Sequence, residues 1–248
     1  MKKLFSFFVI LLAIVTGNAQ NVGIGTINPD SNAQLDVSST TKGFLPPRMD
    51  SGQRNAIVSP PGGLTIYYTT SKGFEIYNGI AWFGTSHYIG EQYGGGKVFY
   101  VYDGGQHGLI VATVDLSSSI RWYAGTYSFT RAMADGIGAG LKNTAIIIAN
   151  QGDPDYFPYA ATLCNEYSVT VGGVRYGDWY LPSKYELYLL FLQRFSIGLN
   201  FTPSYYWSST EYNNGNAWRQ SFLLAGSQSY GLKDGSLDPY HVRAIRAF

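Results

Sequence analysis

The stretch Gly177-Asp178-Trp179-Tyr180-Leu181-Pro182-Ser183-Lys184-Tyr185-Glu186-Leu187 constrains the chain most. Ser183 suits a helix N-cap, because its hydroxyl can accept from a first-turn backbone N–H. Glu186, three residues on, can reach back to close a capping box. Leu187, Leu190, Phe191 and Phe195 then recur at helical spacing, and Gly198 offers a stop. Ahead of the cap, Trp179 and Leu181 alternate with Asp178 and Tyr180, as in a short strand entering the helix. Strand, proline-marked corner and amphipathic helix make a nucleus for a core, and these residues are read as structural.

Such a nucleus needs chain around it. The 248 residues, 45% hydrophobic and 16% aromatic, suffice for one or two domains. Only 13% are charged, against roughly 25% in ordinary globular domains. With 30 Gly and 21 Tyr, the chain suits an extracellular, β-rich fold with a sugar- or protein-binding surface. The formal charge of +1 includes Lys2 and Lys3; without them 15 basic residues face 16 acidic ones. No basic excess points to nucleic acid or an acidic membrane.

Residues 1–19 read as a secretory signal. Lys2 and Lys3 supply the basic start, residues 4–15 an apolar run too short for a comfortable membrane span, and Gly17-Asn18-Ala19 the small residues of a cleavage site. The expected exported chain begins at Gln20 or Asn21, carries no membrane span, and is secreted or held at a bacterial cell surface. Cys164 has no partner for an internal disulfide and reads as a small buried apolar residue.

Residues 20–87 differ in kind. Asn28-Pro29-Asp30, Pro46-Pro47 and Pro60-Pro61-Gly62-Gly63 leave no helical period. Residues 64–68 and 74–77 read as strands, and Asn78-Gly79 as a hairpin turn into residues 80–83. This meander is too small to stand alone, so it should pack on copies of itself or on the next domain. Gly23-Ile24-Gly25-Thr26 with Asn28-Pro29, and then residues 35–49, resemble N-terminal segments of secreted bacterial surface and tail-fibre-like proteins. The resemblance implies a stalk or collar and a homo-oligomer, with a trimer favoured.

From residue 88 the pattern changes. Gly94-Gly95-Gly96 precedes the alternating run 97–102, and Asp103-Gly104-Gly105 turns it into residues 108–112, a β-hairpin. No Gly-Lys-Ser/Thr follows, so the glycines are turn residues and not a phosphate loop. Residues 121–123 read as a short strand, 141–149 as a buried helix ending near Gly152, and 159–167 as a second helix. Strands follow at 205–211, 217–222 and 241–248. The last is apolar on both faces and reads as a central strand. Its Arg243 and Arg246 then need partners, with Glu186 or Glu211 the candidates.

Several motifs in order carry a second resemblance. They are residues 95–101, Gln106-His107-Gly108-Leu109-Ile110, Asn143-Thr144-Ala145, Trp179-Tyr180-Leu181-Pro182-Ser183 with Glu186-Leu187, residues 206–211, Ala217-Trp218 and residues 242–248. Together residues 88–248 resemble the Legionella collagen-like protein C-terminal domain family. That resemblance implies an α+β, C-type-lectin-like head behind the β-rich stalk, related to formylglycine-generating enzymes. The namesake is a trimeric adhesin for sulfated glycosaminoglycans. A single cysteine departs from the cysteine pair of the enzymes, and the calcium-and-sugar triplets of true C-type lectins are missing. No basic cluster matches the namesake's ligand.

The expected function is that of a non-catalytic, adhesin-like binding protein recognising glycan or protein, with no cofactor and no metal. A structural surface or matrix component without a ligand is the alternative, and a secreted hydrolase a more distant one. Neither the spacing of Glu166, Glu186 and Glu211 nor the scattered His87, His107 and His241 forms a catalytic pattern. The ligand surface is placed on Tyr205, Tyr212, Asn213, Asn214, Asn216, Trp218 and Gln220, with Lys233 and Asp234 nearby. Aromatic rings take the CH faces of sugars, and amides take the hydroxyls. Trp207 and Glu211 are assigned to the core.

Overall fold

Runs broken by Pro and Gly hold only short strands, and the N-terminal part has such strands. The computed structural model describes residues 21–84, 86–152, 158–236 and 240–248. The signal-peptide reading falls on residues 1–19, outside the described residues. Two compact units divide the chain, one ending at Pro47 and the other running Arg48–Phe248. In the first, β1 (Val22–Ile24) and β2 (Leu35–Val37) form a parallel ribbon.

In the second, β3 (Arg48–Met49), β4 (Thr65–Tyr68), β5 (Gly73–Tyr77) and β6 (Trp82–Gly84) form a four-stranded sheet in that order. Helix α1 (Ser51–Asn55) starts on a capping box between Asp50 and Gln53. Its Arg54 pairs with Glu75 at 2.9 Å on the face that buries Ile66 and Tyr68. Phe74, Ile76 and Phe83 stand exposed on the other face. The meander read from the sequence is thus present, with its third strand at 82–84 instead of 80–83.

Next come β7 (Gln92–Tyr93), β8 (Gly96–Tyr102) and β9 (His107–Val111). Val98 and Phe99 are adjacent in β8 and both fully buried, so this sheet needs cover on both faces. On one side Val98 and Ile110 join Trp122, Trp179 and Trp207. Helices α2 (Ala139–Gln151) and α3 (Ala160–Glu166) complete that cluster with Ile147, Ala160 and a buried Cys164, whose thiol pKa burial pushes up. After the small hairpin β10 (Val169–Val171) and β11 (Val174–Tyr176) comes α4 (Lys184–Gln193). Its Leu187, Leu190 and Phe191 close a second cluster over Phe99, Leu109 and Val111.

The last sheet has the order β14 (Gln228–Leu232), β13 (Asn216–Ser221), β12 (Tyr205–Glu211), β15 (Tyr240–His241). It too feeds both cores, Tyr206 into the second and Trp207 into the first. The fold is mixed helix and sheet, mostly β with few helices.

Residues 121–123 form no strand; Trp122 is buried and its N–H bonds to Lys233 O at 2.7 Å. Residues 241–248 are not one central strand. The chain leaves β15, meets Ser117 and Ala112 through the backbone of Val242 and Ala244, and only then enters β16 (Ile245–Ala247), which pairs with β9 on one side and is bridged at Ile245 by Tyr180 on the other. The bend divides the two arginines. Arg243 pairs with Asp115 and Arg246 with Asp178, so neither Glu186 nor Glu211 serves them.

Candidate functional site

Two buried carboxylates frame the surface of interest. Ser183 caps α4 as its sequence implies, and Glu186 returns the bond to Ser183 N at 2.8 Å. The same carboxylate also accepts from Gly138 N at 2.8 Å and Gly140 N at 3.1 Å, at the start of α2. One anion therefore serves two helix N-termini, where unpaired N–H groups and helix dipoles favour negative charge. Burial still lifts the Glu186 pKa above the ordinary glutamate range, against the pull of those hydrogen bonds. Gly140 must lack a side chain, because a methyl group there would run into Glu186 and the Leu181 carbonyl.

Glu211, at the end of β12, is equally interior. It accepts from Thr130 N at 2.9 Å and Arg131 N at 2.7 Å, and pairs with Lys233, whose side chain is fully buried. Burial pushes the Lys233 pKa down, and Glu211 opposes that shift. Lys233 also donates to Ser128 O at 2.8 Å and lies 4.7 Å from the Trp122 ring centre. The clamp ties residues 128–131 to β12 and to the end of β14. It holds Arg131 in a left-handed backbone conformation (φ 66°).

Over this frame lies a cluster of rings. Trp218 on β13 is the cross-strand neighbour of Tyr230 on β14. Tyr230 stacks on Tyr212 with centres 4.2 Å apart and planes 4° from parallel. Trp218 stands edge-on to Tyr212 at 5.4 Å. Tyr212 is 40% exposed and Tyr230 50%, with Trp218 half-buried. Lys184 Nζ sits 4.4 Å from the Trp218 ring centre and 3.5 Å from Asp135, adding charge of both signs at the rim.

The expected ligand residues divide. Tyr212, Asn213, Asn214, Asn216 and Trp218 come together on and beside this platform. Asn213 Oδ1 is used within the turn, accepting from Gly215 N and Asn216 N, both at 2.9 Å, while Asn214 is exposed. Tyr205 does not join. It shares its sheet face with Trp207, Arg219 and Ser221, opposite to Trp218, and carries the Arg219 guanidinium 3.9 Å over its ring. Gln220 is buried and donates to Gly226 O at 2.8 Å. Neither Gln220 nor Lys233 is open to a ligand, because both are fully buried. Asp234, its carboxyl held low chiefly by the Ser236 backbone N–H, lines a separate cavity of about 450 Å³ with Arg121 and Leu163. Sequence reasoning missed Tyr230 and Lys184.

Chemically the platform offers flat apolar faces beside amide and charged groups. Glu186 and Glu211 have their oxygens committed to backbone N–H groups and Lys233. Among the described residues no three His, Cys, Asp or Glu side chains are placed to hold a metal ion, and no helix is long and apolar enough to cross a membrane.

Residues 23–108 match a family described as a phage tail like trimerisation region. The match supports a homo-oligomer, a trimer, with a tail-fibre-like structural role for this part of the chain. It runs from the β1–β2 ribbon through the four-stranded sheet to β9. No curated protein shows significant similarity to the chain.

Proposed function

We propose that this is an exported, adhesin-like binding protein whose trimerising N-terminal part carries C-type-lectin-like heads, and that each head recognises glycan on its Tyr212–Trp218–Tyr230 platform without catalysis. The observation that carries the reading is three aromatic side chains grouped on the surface when most of the protein's tryptophans are interior. Exposed aromatic groups of this kind mark interaction sites, and sugar CH faces pack on them. Amide and charged groups at the rim suit hydroxyls. The resemblance of residues 88–248 to the Legionella collagen-like protein C-terminal domain family supports the same reading. Three heads on one stalk would add avidity to weak single-site binding.

The test is a glycan-array screen of the full exported chain, with and without calcium, followed by titration of the best ligand. Trp218→Ala, Tyr230→Ala and Asn214→Ala should each weaken binding by about 1–3 kcal/mol, the scale of a lost aromatic anchor or hydrogen bond. Affinity unchanged in all three, with circular dichroism intact, would move the site elsewhere. A structural surface component without a ligand is the second reading, favoured by the trimerisation match itself. Absence of binding to every glycan and surface protein offered would decide for it.

A further inference from the structure

The ribbon β1–β2 has two unlike faces. The strands are parallel, with Val22 opposite Leu35, Gly23 opposite Asp36 and Ile24 opposite Val37. Side chains alternate, so the four aliphatic residues share one face and Gly23 and Asp36 the other. The second face is already occupied by the connecting loop. A methyl on Gly23 would run into Thr26, and the Asp36 carboxylate accepts from Asp30 N at 3.0 Å. Asp30 in turn orders that loop by accepting from Asn32 N at 2.8 Å. The aliphatic face is bare: Val22 and Ile24 are 56% exposed, Leu35 53% and Val37 43%.

This is a backbone held in register by a well-bonded loop, yet with none of its strand residues buried. Parallel sheets are ordinarily covered on both faces, and an isolated two-stranded ribbon is at best marginal in water. The missing half of its core has to come from elsewhere. The face is uncharged, so identical copies do not repel one another across it. The matched trimerisation region contains Ile24, Leu35 and Val37.

We propose that this aliphatic face is the contact between copies, with Val22, Ile24, Leu35 and Val37 of three chains closing on one another as a shared core. The inference rests on the trimeric part of the proposed function and assigns it to four side chains.

The experiment uses the full exported chain at micromolar concentration. Multi-angle light scattering should give three chain masses for the unaltered protein and one for the double variant Ile24→Asp, Leu35→Asp, with the near-ultraviolet circular dichroism of the aromatic-rich second unit unchanged. The control Leu224→Asp, at a position 88% exposed in the second unit, should stay trimeric. Under a mild oxidant that accepts the two thiol electrons, Ile24→Cys should give covalent dimers and Asp36→Cys none. An unaltered protein that is monomeric overturns this assignment and the trimeric reading together. A trimer that survives the double variant, or that cross-links through Asp36→Cys and not through Ile24→Cys, overturns the assignment alone.

Discussion

Replacing Glu211 with alanine is expected to lower the unfolding free energy by about 3–5 kcal/mol, the range for breaking a buried ion pair by removing one partner. Three groups lose an acceptor at once: the N–H groups of Thr130 and Arg131, and the Lys233 ammonium, which keeps Ser128 O. The lysine is fully buried and cannot turn to water. Arg131 would also lose the bond that holds its left-handed backbone. Urea unfolding measures the loss. The double variant Glu211→Ala, Lys233→Met should recover part of it, because it removes the stranded charge while keeping much of the lysine's volume. A double variant as unstable as the single one would show that the backbone bonds, not the buried charge, dominate.

Glu186→Ala should cost at least about 3 kcal/mol, since it strands the N–H groups of Gly138, Gly140 and Ser183, each orphan costing about 1–3 kcal/mol. Glu186→Gln is the finer probe. It keeps the shape but sets an NH2 donor against backbone N–H groups. Its pH dependence has a defined sign. A carboxyl whose folded pKa is raised by burial binds its proton more tightly folded than unfolded. Its contribution to stability therefore falls as pH rises from the ordinary glutamate range through the folded pKa. Glutamine has no such slope. The stability gap between the unaltered protein and Glu186→Gln should thus be wider at about pH 4 than at about pH 7. A gap that widens toward neutral pH would mean that the hydrogen bonds outweigh burial.

Glu186 also shows what the sequence made legible. Its bond to Ser183 lies three residues away, and the capping box and the start of α4 could be read directly; Phe195, expected on the buried stripe, lies beyond the helix end at Gln193 and is exposed. Its bonds to Gly138 and Gly140 span 48 and 46 residues, and no local pattern announces them. The arginine partners are hidden for the same reason. Asp115 and Asp178 reach Arg243 and Arg246 only because of the bend after β15. In the platform, Trp218 and the asparagine turn stood out as residue types. Tyr230 did not, because its place beside Trp218 depends on the register of β13 with β14. Gln220 and Lys233 were misplaced because polar residues are mostly exposed, and these two are interior only through specific partners. Tyr205, seven residues from Tyr212 along a bulged strand, points the other way from Trp218.

The bend at residues 242–244 also fixes the order in which the molecule can be assembled. Tyr240 and His241 lie beside Tyr205 and Tyr206, and a few residues on Ile245 and Ala247 lie beside Val111 and Leu109. Synthesis delivers this segment after every strand it joins. The hairpins can form early, but the seam between the two sheets cannot close until residues 240–247 are in place. Contacts this distant in sequence carry a large loop-closure entropy and slow the final step. Until then Ile245 is missing from the second core and Val242 from the first, and both cores stay open. Chains truncated before Tyr240 should be cut readily by protease, and chains that include residues 240–248 should resist.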